Sequence, residues 1–181
     1  MASYIPPNAE DPVEQVDTGR PRRSDPRFSI VHESEVPWTE VVAQQHGDRR
    51  VSVHEKFLEW CPDRMVVLGR YDPGMVIERH GHKSDHLIYI LEGRVQIGDR
   101  DCPKGTFIVL EEGAAFGPLI ADEDEGCLMF ETWMDDPLPV PADKDGYYAL
   151  LAERGIERLP NPPFEPPVHD SESFGSGDRF S

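Results

Sequence analysis

The chain has 181 residues, 38% of them hydrophobic, and a formal charge of −17 from 18 basic and 35 acidic side chains. That length suffices for one domain with a sizeable core. The charge leaves no basic patch to neutralise nucleic-acid phosphates and no attraction to an anionic membrane surface. No apolar run approaches the ~18 residues of a membrane span. No charged segment followed by an apolar one opens the chain, so no secretory signal is expected. Cys61, Cys102 and Cys127 are odd in number and widely spaced, which suits free thiols in a reducing cytoplasm rather than a disulfide framework.

Residues 1–27 mix Pro6, Pro7, Pro12, Pro21 and Pro26 with charges and lack hydrophobic periodicity. They read as an extended or disordered arm. Phe28 to Val31 forms a short candidate strand, Val36-Pro-Trp38 an apolar anchor, and Glu40 to Gln45 one helical turn ended near Gly47. From Val51 the pattern changes to short strands: Val51–Leu58, Arg64–Tyr71, Val76–His82 and His86–Glu92. Asp72-Pro-Gly74 is a turn, and Gly93 is a second, from which Arg94 to Ile97 folds back. Gly98-Asp99 signals a tight hairpin. Thr106–Leu110, Ala115–Ile120 (broken by Gly117-Pro118) and Cys127–Met134 complete the series. After Pro137, Pro139 and Pro141 the strand pattern stops, and Asp143 or Asp145 caps a helix that ends at Gly155. Residues 159–181 read as a disordered tail.

Short strands between glycine and proline turns predict an all-β sandwich or jelly roll over residues 28–158. The run Leu87 to Leu91 is apolar on both faces. His86, Ile88 and Ile90 share one face and can line a barrel. Leu87, Tyr89 and Leu91 share the other and need cover, from a second sheet, the N-terminal arm or a second subunit, and a homodimer is the expected arrangement.

The chemistry concentrates between Gly74 and Gly93. His80, His82 and His86 fall within seven positions. His80 and His82 share a face of one strand, and Lys83-Ser-Asp85 is a turn that lets His86 meet them from the next. Three neutral imidazoles from adjacent strands suit Fe, Zn, Ni or Cu.

These residues resemble the first motif of the cupin superfamily: glycine, five residues, His-x-His, three residues, a carboxylate, six residues, glycine. Gly74, His80, His82 and Gly93 stand at that spacing, with His86 in the glutamate slot. The second motif is degenerate. Gly105 and Gly113 fit, but Glu111 stands in the proline slot, Phe116 in the histidine slot and Ile120 in the asparagine slot. The resemblance covers about residues 60–135. It implies a conserved-barrel, RmlC-like cupin jelly roll, or double-stranded β-helix, commonly dimeric. The usual fourth metal ligand is absent from its slot.

A three-histidine cupin resembles the non-haem iron dioxygenases that cleave diketones or phenolic compounds. Iron is therefore the expected metal, with zinc, nickel or manganese as alternatives, and the partner is a small oxygenated molecule. Glu78, two residues before His80, is the candidate acid–base group. Phe116, Tyr71 and Trp133 are candidate pocket walls, and Trp60 and Met134 can also shape an apolar pocket; core packing is the ordinary role of Tyr71, Trp133, Trp60 and Met134 alike. His54 is a spare ligand candidate, and the cysteines read as small buried apolar residues. Two other readings stand beside the dioxygenase: a non-redox lyase, cyclase or isomerase, and a non-catalytic ligand-binding cupin.

Overall fold

The computed structural model describes residues 30–61 and 64–164. Two compact units divide the chain, Met1–Pro37 and Trp38–Ser181. The expected arm over residues 1–27 lies outside the described residues, as do Phe28 and Ser29. Ile30 and Val31 are not in a strand, and the described part of the first unit forms one 3-10 turn, Glu33–Glu35.

The second unit opens with β1 (Thr39–His46), β2 (Arg49–Cys61) and β3 (Arg64–Tyr71). The helical turn expected over Glu40–Gln45 is β1 instead. Val41 and Ala43 alternate inward to full burial, and His46 faces Arg49 across Gly47-Asp48. Gly47, at φ 59°, closes that two-residue hairpin, and a hairpin overrides weak helical propensity.

The strand expected over Val76–His82 is broken. β4 (Val76–Ile77) and β5 (His80–His82) flank Glu78 and Arg79 and belong to different sheets. The turn expected at Gly93 is also absent, because β6 (His86–Ile97) runs straight through it. At φ 64° Gly93 lies beside Gly126, and a Cβ added there would strike the Gly126 carbonyl oxygen. The glycine serves a close strand approach next to a bulge, where Leu128 faces Glu92 and Met129 faces Ile90.

Beyond the Gly98-Asp99 hairpin come β7 (Arg100–Pro103), β8 (Phe107–Leu110), β9 (Ala115–Phe116), β10 (Leu119–Ala121) and β11 (Cys127–Trp133). The strand pattern does not stop after Pro141. β12 (Pro139–Pro141) pairs with β5, and β13 (Ile156–Arg158) pairs with β1 after α1 (Lys144–Arg154). β12 is an edge strand, the position in which a proline-rich segment can still pair. Asp143 caps α1 by accepting from the Gly146 N–H (2.9 Å), and Gly155 ends it at φ 65°.

Among the described residues every strand pairing is antiparallel. A ten-stranded sheet runs β13-β1-β2-β3-β11-β6-β10-β4, with β7 and β8 also on β6; a three-stranded sheet runs β12-β5-β9. Val41, Val53, Val67, Ile88, Ile90 and Met129 form the centre of the core. Among the described residues this is a curled, mostly β fold of the jelly-roll kind with one short α-helix. On β6, His86, Ile88 and Ile90 are buried, whereas Tyr89 points outward at 43% exposure. The expected tail begins in order: Leu159 N–H donates to Ala43 O (3.1 Å), and the Phe164 ring lies 5.3 Å from Phe57 and 5.5 Å from Trp60. The rest of that tail, from residue 165, lies outside the described residues.

Candidate functional site

β5 and β6 bring the three motif histidines into one cluster. The His80 and His82 ring centroids are 5.0 Å apart, and those of His82 and His86 are 4.9 Å apart, each pair edge to face. All three are buried, His86 to 1% exposure. Gly81 between the first two lets β5 approach Ala114, whose carbonyl oxygen a Cβ would strike.

Backbone carbonyls fix two of the rings. His80 Nδ1 lies 2.8 Å from Glu78 O, and His82 Nδ1 lies 2.9 Å from Pro137 O. A carbonyl only accepts, so both Nδ1 atoms carry the proton and both lone pairs sit on Nε2. This is the outer-shell arrangement that orients imidazoles toward a metal. Burial pushes the His80 pKa down, against the Glu78 carbonyl and the charge of Glu131, which raise it. His80 thus stays neutral, the form a metal requires.

His86 is held differently. Its Nε2 donates to Glu131 Oε2 at 3.1 Å, and its ring stacks on Trp133 with centroids 4.0 Å apart and an interplanar angle of 17°. The strand register places Trp133 directly opposite His86. Facing a carboxylate, His86 carries a proton on Nε2, the opposite tautomer from its two neighbours.

The cluster opens on a cavity of about 120 Å³. Phe116 forms one wall, with its ring 4.8 Å from His80 and 5.9 Å from His86. Tyr71 and Trp133 also line it. Glu78 lines it from the break between β4 and β5 rather than from a continuous strand. Burial pushes the Glu78 carboxyl up, while Arg158 and Lys144 pull it down. Trp60 packs in the core outside the cavity, and Met134 is 51% exposed, so neither shapes the pocket. His54 on β2 is not among the lining residues. Cys61, Cys102 and Cys127 are buried, as expected of small apolar side chains, and burial pushes the Cys127 thiol up to about 12.

Sequence reasoning missed Glu131. It is 2% exposed, lines the cavity, and accepts from both His86 Nε2 and Tyr71 Oη (3.5 Å). A signal was available. Cys127, Met129, Glu131 and Trp133 alternate inward along β11, so Glu131 is the one charge on a buried face. Glu55, also buried and lining the cavity, was missed for the same reason. Arg158 and Asn161 line it from beyond the helix.

The model of the ChrR cupin-like domain matches residues 27–134, more than half of the chain. The chain belongs to the ChrR cupin-like family. Both strands carrying the histidines lie inside the matched region. No curated protein matches it. Among solved structures it is similar to the polyketide cyclase RemF from Streptomyces resistomycificus, at 18% identity and a TM-score of 0.54, covering 71% of this chain and 97% of that one. A protein from Methylibium petroleiphilum assigned as an acetylacetone dioxygenase matches at 12% identity and a TM-score of 0.55, covering 69% and 88%. KdgF from Halomonas sp. matches at 22% and a TM-score of 0.47, covering 66% and 99%. At these identities the likeness is one of fold.

The cupin fold implies a metal, and the donor set can be tested against that. His80 and His82 fit in residue type, tautomer and burial. His86 fits in type, but its Nε2 is engaged by Glu131. Among the described residues, no three His, Cys, Asp or Glu side chains stand ready around a common point.

Proposed function

We propose that this protein is a metal-dependent cupin enzyme acting on a small oxygenated organic molecule, with dioxygenase chemistry as the first reading. The observation that carries it is the fixed pair of imidazoles. His80 and His82 are buried side by side, each with Nδ1–H tied to a backbone carbonyl and each with its lone pair on Nε2. They hold a divalent transition metal, and the His86–Glu131 pair supplies the next donor. Nitrogen-rich sites with open positions suit iron, with zinc, nickel and manganese as alternatives. When bound, the metal supplies Lewis-acid polarisation of substrate oxygens and, if iron, access to dioxygen.

The chain supplies the rest. Phe116 and Trp133 wall off water at the rings, and the small cavity orients a compact substrate. The names of two fold neighbours, an acetylacetone dioxygenase and a polyketide cyclase, also concern oxygenated carbon skeletons. An odd number of widely spaced cysteines fits a reducing cytoplasm.

One observation favours a second, non-redox reading as lyase, cyclase or isomerase. Glu78 sits at the cavity with its carboxyl pushed up by burial, which suits a group that moves a proton. Protein purified without chelators or an affinity tag of histidines separates the two. Iron together with oxygen uptake on acetylacetone or catechol supports oxidation; zinc or nickel with turnover and no oxygen uptake supports the second. The same metal content in wild type and in His80→Ala and His82→Ala would overturn both.

A further inference from the structure

We propose that Tyr147 and Arg158, which line the cavity from α1 and β13, form a carboxylate-binding subsite, so that the substrate is a compact organic acid. The inference rests on the reading above in taking this cavity as the substrate site, and it deepens that reading by naming the substrate class. The residues that carry it lie apart from the histidines.

Gln44 on β1 is fully buried. The backbone of Val76 settles which way its amide points. Val76 N–H donates to Gln44 Oε1 at 3.3 Å, and Gln44 Nε2 donates to Val76 O at 2.6 Å. A backbone N–H only donates and a carbonyl only accepts, so the amide cannot be turned over. The other Nε2 proton goes to Tyr147 Oη at 3.0 Å. Tyr147 is therefore the acceptor in that bond, and its own phenol proton is left to donate elsewhere. Among the described residues no group accepts that proton. Tyr147 lines the cavity, whereas Gln44 and Val76 do not. The amide thus holds the phenol oxygen from outside the cavity and leaves the cavity side for the proton. An acceptor oxygen on a bound ligand completes the hydroxyl there.

Charge gives that acceptor its sign. Arg158 stands opposite Gln44 in the register of β1 and β13, so the two side chains share a face. Arg158 lines the cavity, and its positive charge acts on both Tyr147 and Glu78. A guanidinium presents a fork of N–H donors that matches a carboxylate and can serve more than one partner. Asn161, which also lines the cavity, adds an amide to the same segment. Glu78 is the acid of this region, and burial pushes its carboxyl up, which lessens its charge against an incoming anion. His80, His82 and His86 line the same cavity. An acid held by its carboxylate is thereby kept in one orientation while the rest of its skeleton occupies the remaining space.

The test uses the full chain treated with chelator, titrated by ligand-observed saturation-transfer NMR with butyrate, isobutyrate and 2-oxobutyrate, each paired with its primary amide. Wild type should bind at least one acid roughly 10-fold or more tightly than its amide. A hydrogen bond to a charged acceptor is worth roughly 10- to 100-fold, so Tyr147→Phe should weaken acid binding by that factor. Arg158→Gln, at an exposed position where folding is not at risk, should bring acid and amide to the same affinity, and Arg158→Lys should restore part of the difference. A purely structural Tyr147 would lower the melting temperature in Tyr147→Phe and leave the acid-to-amide ratio unchanged. Equal binding of acids and amides by wild type, binding of none of the acids, or unchanged acid affinity in either Tyr147→Phe or Arg158→Gln overturns the proposal. Because the titration is run without metal, the metal content of wild type, His80→Ala and His82→Ala judges the metal-dependent reading separately, and either can fail while the other stands.

Discussion

At the scale of single residues, the protonation of His80 links the site to the stability of the whole fold. Burial lowers its pKa in the folded chain below the ordinary value of about 6.5. The unfolded chain then binds a proton at a higher pH than the folded one. Stability is therefore full above the unfolded pKa and falls as pH drops through and below 6.5. Metal-free protein should melt at progressively lower temperature between pH 7.5 and pH 5, and His80→Gln should flatten that dependence. Parallel melting curves for the two would show that His80 carries none of the effect.

At the scale of elements, the crossing of β6 and β11 decides which side chains meet. Gly93 lies opposite Cys127, at a positive φ and against the Gly126 carbonyl. Replacing it by alanine adds backbone strain to a steric clash, at a cost of about 1–3 kcal/mol or more. Chemical denaturation of Gly93→Ala should report that loss, and a midpoint unchanged from wild type would remove Gly93 from the account. The same residue shows where sequence reading succeeds and fails. Arg64–Tyr71 and Cys127–Trp133 were legible because β-branched and apolar residues bounded by turn residues can satisfy no other pattern. Gly93 looked like a turn, because positive φ serves a turn and a bulged strand equally well. Glu40–Gln45 looked helical because the hairpin at Gly47 is a tertiary pairing with no local signature beyond its glycine. The three histidines stood out through their spacing. Glu131 stands 45 residues from its partner His86, and only the antiparallel register of β6 and β11 brings them together.

At the scale of the whole molecule, the outer face of the large sheet is unusually apolar. Phe107 is 60% exposed, Val109 55%, Tyr89 43% and Phe130 37%. The strand register makes them neighbours, with Tyr89 opposite both Phe107 and Phe130 and Leu87 opposite Val109. Contiguous apolar surface on a chain with a net charge of −17 is where association can occur without bringing like charges together. We propose a homodimer through this face, in which each copy covers the other. Light scattering coupled to size exclusion should give twice the chain mass for wild type and the single mass for Phe107→Glu. A monomeric wild type would leave the face without that explanation.

The path of the chain after β11 has a consequence for how the family boundary is used. The match to the ChrR cupin-like domain stops at residue 134, yet the carbonyl that orients His82 belongs to Pro137, and Pro139 and Pro141 pair with the strand carrying both imidazoles. Tyr147, Arg158 and Asn161 close the cavity from further on still. Inheritance and chemistry thus draw different borders. A protein engineer who trims this chain to the recognisable module would excise the brace of its histidine cluster, and transplanting the cluster into another cupin requires carrying the downstream strap along with the histidines.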